Sequence, residues 1–404
     1  MAFITPFRAL RPTPASAAAV AAVPYDVVNT EEARALAAGN PLSFLHVSRP
    51  EIDLASETNP YADAVYSKAV ENFARLRTRA PLVLDDQPSL YVYRLQMDGH
   101  VQAGITGCFS VDDYERDVIK KHERTRRDKE DDRTRHIIEL RAQTGPVFLL
   151  HESSPRVEAA IRRATATTPL FDFTAVDGVR HTIWRMSAAD EHEVIAAFEA
   201  MPALYIADGH HRAASAARAR QHLRQNGRPG ESDTFVAVAF SGDQTQILPY
   251  NRVVRDLGSY TPDSLLAALR QRFSVTQGPA TPVRRGDVAM FLAGSWHTLE
   301  LTPAPAGTDP AARLDVSRLH DLVLAPLLGV GDVRTDKRID FVGGARGTAQ
   351  LESLVSAGRA AVAFSMYPVS VADLMQIADS GGIMPPKSTW FEPKLRDGLL
   401  SHVI

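Results

Sequence analysis

A mixed α/β (α+β) fold is what this sequence predicts, and three observations point to it. Apolar runs of strand length recur between segments whose apolar residues fall at helical spacing. An Asp98-Gly99 pair sits between two such runs, the mark of a two-residue hairpin. The chain has 404 residues and is 45% hydrophobic, enough for a large core spread over two or three subdomains.

Each element has its own reason. Thr30 reads as the N-cap of a helix over 30–36 that Gly39 stops. Residues 61–77 place Ala64, Val65, Ala69, Phe73 and Leu76 at helical spacing, and 90–95 and 104–109 read as the hairpin strands. From Lys120 to His136 there is no aliphatic residue, Pro or Gly, but many good helix formers, so an exposed helix or an ordered charged loop is expected. A strand over 146–150, a helix over 155–166, a strand over 181–186 and a helix over 188–200 lead to a strand over 203–207. Directly after it stands Asp208-Gly209-His210-His211-Arg212. An Ala-dense helix over 213–223 follows, ending in the loop Asn226-Gly227-Arg228-Pro229-Gly230, and 235–240 is the next strand. Helices over 263–273, 315–328, 350–357 and 371–377 then alternate with strands over 288–292 and 360–364. The Pro-, Ala- and Gly-rich stretch 302–310 reads as a loop between lobes. The expected division is an N-terminal α/β part over 1–150, a core over 151–300 carrying the turn, and a C-terminal α/β part over 301–404.

Composition excludes several function classes. With 45 Lys+Arg against 48 Asp+Glu the formal charge is −3, which offers no global attraction for nucleic acid or an anionic membrane. The single Cys108 allows no intrachain disulfide and no cysteine metal framework, which suits a reducing, cytoplasmic setting. The Ala-rich run 16–23 is short and bracketed by Pro12, Pro14 and Pro24, so an export signal is not expected. No stretch has the roughly 18 uninterrupted apolar residues of a membrane span.

Three segments could carry chemistry. The first is the turn Asp208-Gly209-His210-His211-Arg212, where a strand meets a helix N-terminus and the backbone already favours an anion. Gly209 would let a phosphate approach, Arg212 would clamp its oxygens, His210 and His211 would donate hydrogen bonds, and Asp208 would hold a metal ion or accept a proton. The same residues also fit a plainer reading, with Asp208 capping the helix and the histidines on the surface. Adjacent histidines diverge on a helix, which disfavours a shared zinc.

The second is the charged run, which, if helical, aligns His122, Arg126, Lys129, Arg133 and His136 on one basic face suited to polyphosphate. A solvated helix laced with ion pairs accounts for it equally well. His122-Glu123 is like the start of a zinc-protease helix, but Arg126 stands where the second histidine would be, so that reading fails. The third is Met384-Pro385-Pro386-Lys387-Ser388-Thr389-Trp390-Phe391, which would project Lys387, Ser388 and Thr389 from one loop or simply strap two aromatics into the core. No Walker A loop occurs, and Gly343-Gly344-Ala345-Arg346-Gly347 reads as a tight turn.

Taken together, Pro24-Tyr25-Asp26-Val27, Asn40-Pro41-Leu42-Ser43-Phe44-Leu45-His46-Val47, His122-Glu123-Arg124-Thr125, Asp208-Gly209-His210-His211-Arg212 and Met384-Pro385-Pro386-Lys387-Ser388-Thr389 resemble the domain of unknown function 1015 family nearly end to end. The Asp-Gly-His-His-Arg turn is also similar to the nucleotide-binding loop of ParB-type proteins, sulfiredoxin and the SerK-like kinases of free L-serine. That resemblance implies a ParB/sulfiredoxin-like nucleotide-binding core with added N- and C-terminal α/β elements. It implies Mg²⁺ with ATP or ADP, a small hydroxyl-bearing amino or hydroxy acid as substrate, and Asp208 at the metal. It carries across Asp208, Gly209, His210, His211 and Arg212 and nominates Glu123 as base, with Asp208 and His211 completing the catalytic set. From the residues themselves, His122, Arg126, Lys129 and Arg133 of the charged run and Lys387, Ser388 and Thr389 of the third segment are expected to join Gly209, His210 and Arg212 around the nucleotide.

The expected function is therefore a small-molecule kinase. A ParB-like nucleotide- or DNA-binding regulator would need a helix-turn-helix segment, and none is evident. A non-catalytic metabolite sensor would use the same pocket without a base. A homodimer is left open.

Overall fold

The computed structural model describes residues 2–79, 82–227 and 231–404. By density of contacts the chain gathers into two units. The first comprises Met1–Lys121, Thr125–Thr245 and Pro393–Ile404, the second His122–Arg124 and Gln246–Glu392. The expected boundaries near 150 and 300 both fall inside a unit: 150 lies in the strand Val147–His151 and 300 ends the strand Ser295–Glu300.

The first unit is built on a mixed sheet with nine strands among the described residues. Its main path runs Ile119–Lys120, Leu204–Asp208, Val147–His151, Thr234–Ser241, His100–Ser110, Tyr91–Met97, Arg180–Arg185, Phe171–Thr174. Val147–His151 is buried along its whole length and Thr234–Ser241 nearly so, and the two pair in parallel, as continuous apolar runs covered on both faces do. Leu204–Asp208 runs antiparallel beside Val147–His151, with an irregular register between Ile206 and Asp208 that ends the ladder at Phe148. One face of the sheet packs Leu149, Ile206, Ala237 and Phe109 against Val157, Val194, Phe198 and Ala213 of three helices, Pro155–Thr165, Ala188–Glu199 and His210–Gln225. The hairpin turns as expected, with Asp98 and Gly99 both at positive φ and Met97 opposite His100.

The chain's last residues are central to this unit. Ser401–Val403 inserts between Ala9–Arg11 and Ala142–Gln143 in a small antiparallel sheet, and Asp397 exchanges backbone hydrogen bonds with Ala22. A second core, including Leu10, Val20, Phe44, Val47, Phe73 and Leu140, lies under the N-terminal helices.

The second unit is a six-stranded antiparallel sheet in the order Ser274–Gln277, Ser295–Glu300, Asp287–Leu292, Val362–Met366, Tyr250–Val254, Ile339–Gly343. Trp390–Glu392 pairs with Gln246–Leu248, and Phe391 is buried in the core as the strap reading expects. A Cβ on Gly343 would come within 2.8 Å of the Trp390 ring, which explains the first glycine of the expected tight turn.

Several expectations need correcting. The N-cap of the helix Thr30–Ala37 is Asn29, whose side chain accepts from the Glu32 N–H while Glu32 returns a bond to the Asn29 N–H, a capping box that Thr30 cannot close. The charged run is helical only over Arg127–Leu140, with Arg126 extended at the N-cap, so His122 and Arg126 do not continue the face of Lys129 and Arg133. That helix is also not simply exposed, since Asp132, Thr134 and His136 are buried. The expected helix over 315–328 is an α-turn, Asp315–Leu319, followed by a π-turn, His320–Leu324. The loop 302–310 lies within the second unit. Arg228, Pro229 and Gly230 of the expected loop after Gly227 lie outside the described residues. Among the described residues no helix is long and apolar enough to cross a membrane.

The terminal segment supplies a test of this packing. Gly398 has φ +84°, and a Cβ there would sit 2.4 Å from the Phe44 ring. Left-handed strain and overpacking together predict that Gly398→Ala loses about 2–5 kcal/mol in urea unfolding. An unchanged midpoint would show that the last residues are not integral to the first unit.

Candidate active site

The site grows from one strand end. Asp208 closes Leu204–Asp208, and Gly209, at φ +95° and ψ 29°, turns the chain at once into the helix His210–Gln225. A Cβ at 209 would meet the Arg212 Nε at 3.0 Å, so both the backbone angle and the close approach call for glycine. The N-cap position is Gly209 itself, which has no side chain to offer, and the helix's first backbone bond runs from the Ala213 N–H to the Gly209 carbonyl at 3.0 Å. Asp208 stands one residue before the N-cap position, which Gly209 occupies.

Asp208 is instead an ion-pair centre. Its Oδ2 lies 3.2 Å from the Lys394 Nζ and 3.4 Å from the Arg212 Nη2. Burial pulls the carboxyl upward, but Lys394 and Arg212 outweigh it and hold Asp208 well below the usual carboxylate range. It is an anion at any physiological pH, and about 26% of its side-chain surface remains accessible.

Arg212 points into the unit. Its Nη1 donates to the Pro146 carbonyl, its side chain is only 9% exposed, and its Nε and Nη2 have no hydrogen-bond partner among the described residues. Burial disfavours the charge, yet Asp208, Asp26 and Asp397 together keep the guanidinium firmly protonated. Arg212 also lines a small cavity of about 40 Å³ with Tyr25, Arg133, His136, Gly145 and Asp397, room for a very few waters. Arg133 stacks over the Tyr25 ring at 4.3 Å and donates to the Asp132 carboxylate at 2.8 Å and the Ser48 carbonyl at 3.2 Å.

Two sequence-selected segments meet here. The Arg126 N–H donates to the His211 Nε2 at 3.0 Å, which places the ring proton of a neutral His211 on Nδ1. The Ser215 Oγ donates to the Glu130 carbonyl at 3.2 Å, tying the helix Arg127–Leu140 to the helix His210–Gln225. His210 is buried in the first turn. The Arg126 guanidinium is exposed and held by Asp128 at 2.8 Å, while the Lys129 Nζ donates to the Tyr61 hydroxyl at 2.9 Å.

The remaining residues belong to the second unit. There the His122 carbonyl accepts the Met384 N–H at 2.8 Å, and Glu123 follows it in sequence. Ser388 is buried and donates its hydroxyl to Pro385, Lys387 stands at φ +58° with its Nζ 5.3 Å from the Tyr250 ring centre, and Thr389 precedes Trp390–Glu392.

Sequence reasoning missed Lys394 and Asp397, and gave Tyr25 and Asp26 no role. Lys394 lies 186 residues from its partner Asp208, and no spacing rule connects them. The one available signal was the charged run Lys394-Leu395-Arg396-Asp397-Gly398, dense in charge ahead of an apolar terminus.

With the geometry in place, the family is decided by a match over residues 4–317 to the model of DUF1015, described as a protein of unknown function. The chain belongs to the DUF1015 family. No curated protein matches the DUF1015 protein. Among solved structures it is similar to SbnI with C-terminal truncation from Staphylococcus aureus, at TM-score 0.39 and 12% identity over 72% of this chain and 85% of that one. It is similar to a free serine kinase in complex with AMP, at TM-score 0.34 and 12% identity over 72% and 91%. A conserved hypothetical protein from Pyrococcus furiosus follows at TM-score 0.32 and 14% identity over 73% and 94%.

Two titrating groups on the cavity wall make a pH test. Burial pushes the Asp397 carboxyl up to about 7, against the lowering pull of Arg212 and with a further rise from Asp26. From about pH 4 to 7 the folded chain keeps a proton that the unfolded chain releases, so this group's contribution falls as pH rises. Burial, then Arg133, drives His136 down to about 4, so from about pH 4 to 6.5 its contribution rises with pH. Asp397→Asn should therefore gain stability relative to the unsubstituted chain between about pH 5 and pH 8 in urea unfolding. Parallel curves for the two proteins would reject a raised Asp397.

Proposed function

We propose that the DUF1015 protein is a small-molecule kinase that seats the phosphates of ATP or ADP at the turn from Asp208 to Arg212 and transfers a phosphoryl group to a hydroxyl-bearing amino or hydroxy acid, free L-serine first. The observation that carries this reading is the helix start at left-handed Gly209, next to an ionised Asp208 and the Lys394 ammonium. Backbone N–H groups and the helix dipole favour an anion there, and the Lys394 ammonium beside Asp208 adds positive charge.

Mg²⁺ fits this donor set. It characteristically takes one or two carboxylates and completes its shell with water and phosphate oxygens, and Asp208 is an ionised, partly accessible carboxylate. Asp208 would hold the ion, which would neutralise charge on the transferring phosphate. A carboxylate held so far below its usual range is a good metal ligand but a poor proton acceptor. The hydroxyl proton is then assigned to Glu123, which rests on the family resemblance alone. In the transfer, the acceptor oxygen bonds to the terminal phosphorus, the bond to the bridging oxygen breaks, and ADP or AMP leaves. His211, neutral with its proton on Nδ1, would donate to a phosphate oxygen, and Arg212 would hold the turn in shape from inside.

Phosphorus NMR of the purified chain with Mg²⁺, ATP or ADP, and a panel of serine, threonine, homoserine and glycerate checks this. The expected outcome is one phosphorylated acid with matching ADP or AMP. Asp208→Asn should abolish nucleotide-dependent turnover, and Glu123→Gln should lower kcat about 10²–10⁴-fold with nucleotide affinity kept. Nucleotide binding without product on any acceptor would leave a sensor. Preference for duplex DNA would leave a regulator.

A further inference from the structure

The second unit holds a charge problem unrelated to the turn at Asp208. Arg252 lies on the strand Tyr250–Val254, between Phe341 and Phe364 on the flanking strands, and is only 3% exposed. Its Nη1 donates to the Tyr250 carbonyl and its Nη2 to the Lys387 carbonyl at 3.1 Å, and its guanidinium lies 5.6 Å from the Phe341 ring centre. Among the described residues no carboxylate pairs with it, and its partners are the two carbonyl oxygens and the Phe341 ring. Burial drives its proton affinity down to about 9, the cost of a buried cation without a counter-ion. Buried charges in proteins are as a rule paired.

Arg252 lines a cavity of about 340 Å³. A dry space of about 150 Å³ already holds a benzene ring, so this one has room for a ring or branched chain together with a head group. Its walls include Val316, Leu324, Phe341, Ile383 and Pro385. A second polar group on the same wall also lacks a partner: the His320 Nδ1 is buried and makes no hydrogen bond among the described residues. His320 opens the π-turn His320–Leu324, closed by the Ala325 N–H on its carbonyl at 2.9 Å, a distortion that recurs at ligand sites. Asp309 and Asp321 also line the cavity, but both are exposed, and the Asp309 carboxylate accepts the Ala311 N–H at 2.9 Å.

We propose that this cavity binds a monocarboxylate with an aromatic or branched apolar body, its carboxylate held by Arg252 and the His320 Nδ1–H and its body packed on the apolar walls. The single charge of one buried guanidinium balances a single negative charge, whereas a phosphate dianion would remain half compensated among apolar walls. The site is independent of the kinase reading and stands if that reading fails.

Calorimetric titration of the full chain with 3-phenylpropionate, 4-methylpentanoate and the neutral 3-phenylpropionamide tests it. Saturable one-site binding of at least one acid is expected, with the amide at least tenfold weaker. Arg252→Met should weaken acid binding at least tenfold. Because Arg252 also ties the Lys387 carbonyl, Ala312→Trp is the second variant: it fills the cavity, leaves Arg252 in place, and should abolish acid binding with heat unfolding still cooperative. Equal binding of acid and amide, acid binding retained in Ala312→Trp, or no saturation by either acid at millimolar concentration would overturn the proposal.

Discussion

The first unit depends on the compensation of one carboxylate. Asp208 sits at the end of a buried strand, where an anion without partners would be driven to protonate, and two cations, Arg212 one helical turn on and Lys394 from a distant part of the chain, prevent that. One of them, Lys394, belongs to the terminal segment that continues into the strand Ser401–Val403. The ion pair and the small sheet thus support each other. Removing one partner of a buried pair typically costs about 3–5 kcal/mol, a large share of the roughly 5–15 kcal/mol that holds a domain folded. The terminal residues are part of the first unit because the charge at Asp208 and the edges of Ala9–Arg11 and Ala142–Gln143 need them.

The same physics runs with opposite sign in the second unit. At Asp208 the chain supplies the counter-ions and the carboxyl stays low. At Arg252 it supplies carbonyl oxygens and an aromatic face but no anion, and the guanidinium is pushed down. Carbonyl acceptors satisfy the geometry of a guanidinium without cancelling its charge, so hydrogen-bond satisfaction alone understates what such a residue lacks.

How much of this was legible follows from range. The hairpin at Asp98-Gly99 and the strand, turn and helix around Gly209 were readable because positive φ, apolar runs and helix formers act within a few residues. The helix Arg127–Leu140 was readable as an element but not in its burial. Asp132 is covered because the Tyr66 hydroxyl bonds it at 2.8 Å, and His136 because its Nε2 reaches the Val47 carbonyl at 2.9 Å, partners 66 and 89 residues away. Composition read that helix as solvated because it counts charges and not their partners. Asn29 replaced Thr30 for a smaller reason: both are good caps, and only Asn29 stands three residues before Glu32. Lys394 and Asp397 were invisible for the reason Asp132 was, since the site is assembled by tertiary contacts with no local code.

The inward course of Arg212 changes how the turn is understood. From sequence the guanidinium looks like the phosphate clamp; in the structure it lies buried, with Nη1 on the Pro146 carbonyl, its charge facing Asp208, Asp26 and Asp397, and Nε and Nη2 without a hydrogen-bond partner among the described residues. A buried cation directly beneath a helix start still raises the local potential, and it does so without the entropy cost of fixing a long exposed side chain on each binding event. On the proposed reading the division of labour is then clear. Arg212, Lys394 and Gly209 set the shape and potential of the turn as part of the fold, while the backbone and His211 would face the exchange of ligands. Substitution at Arg212 would consequently be felt first in folding and only through it in binding.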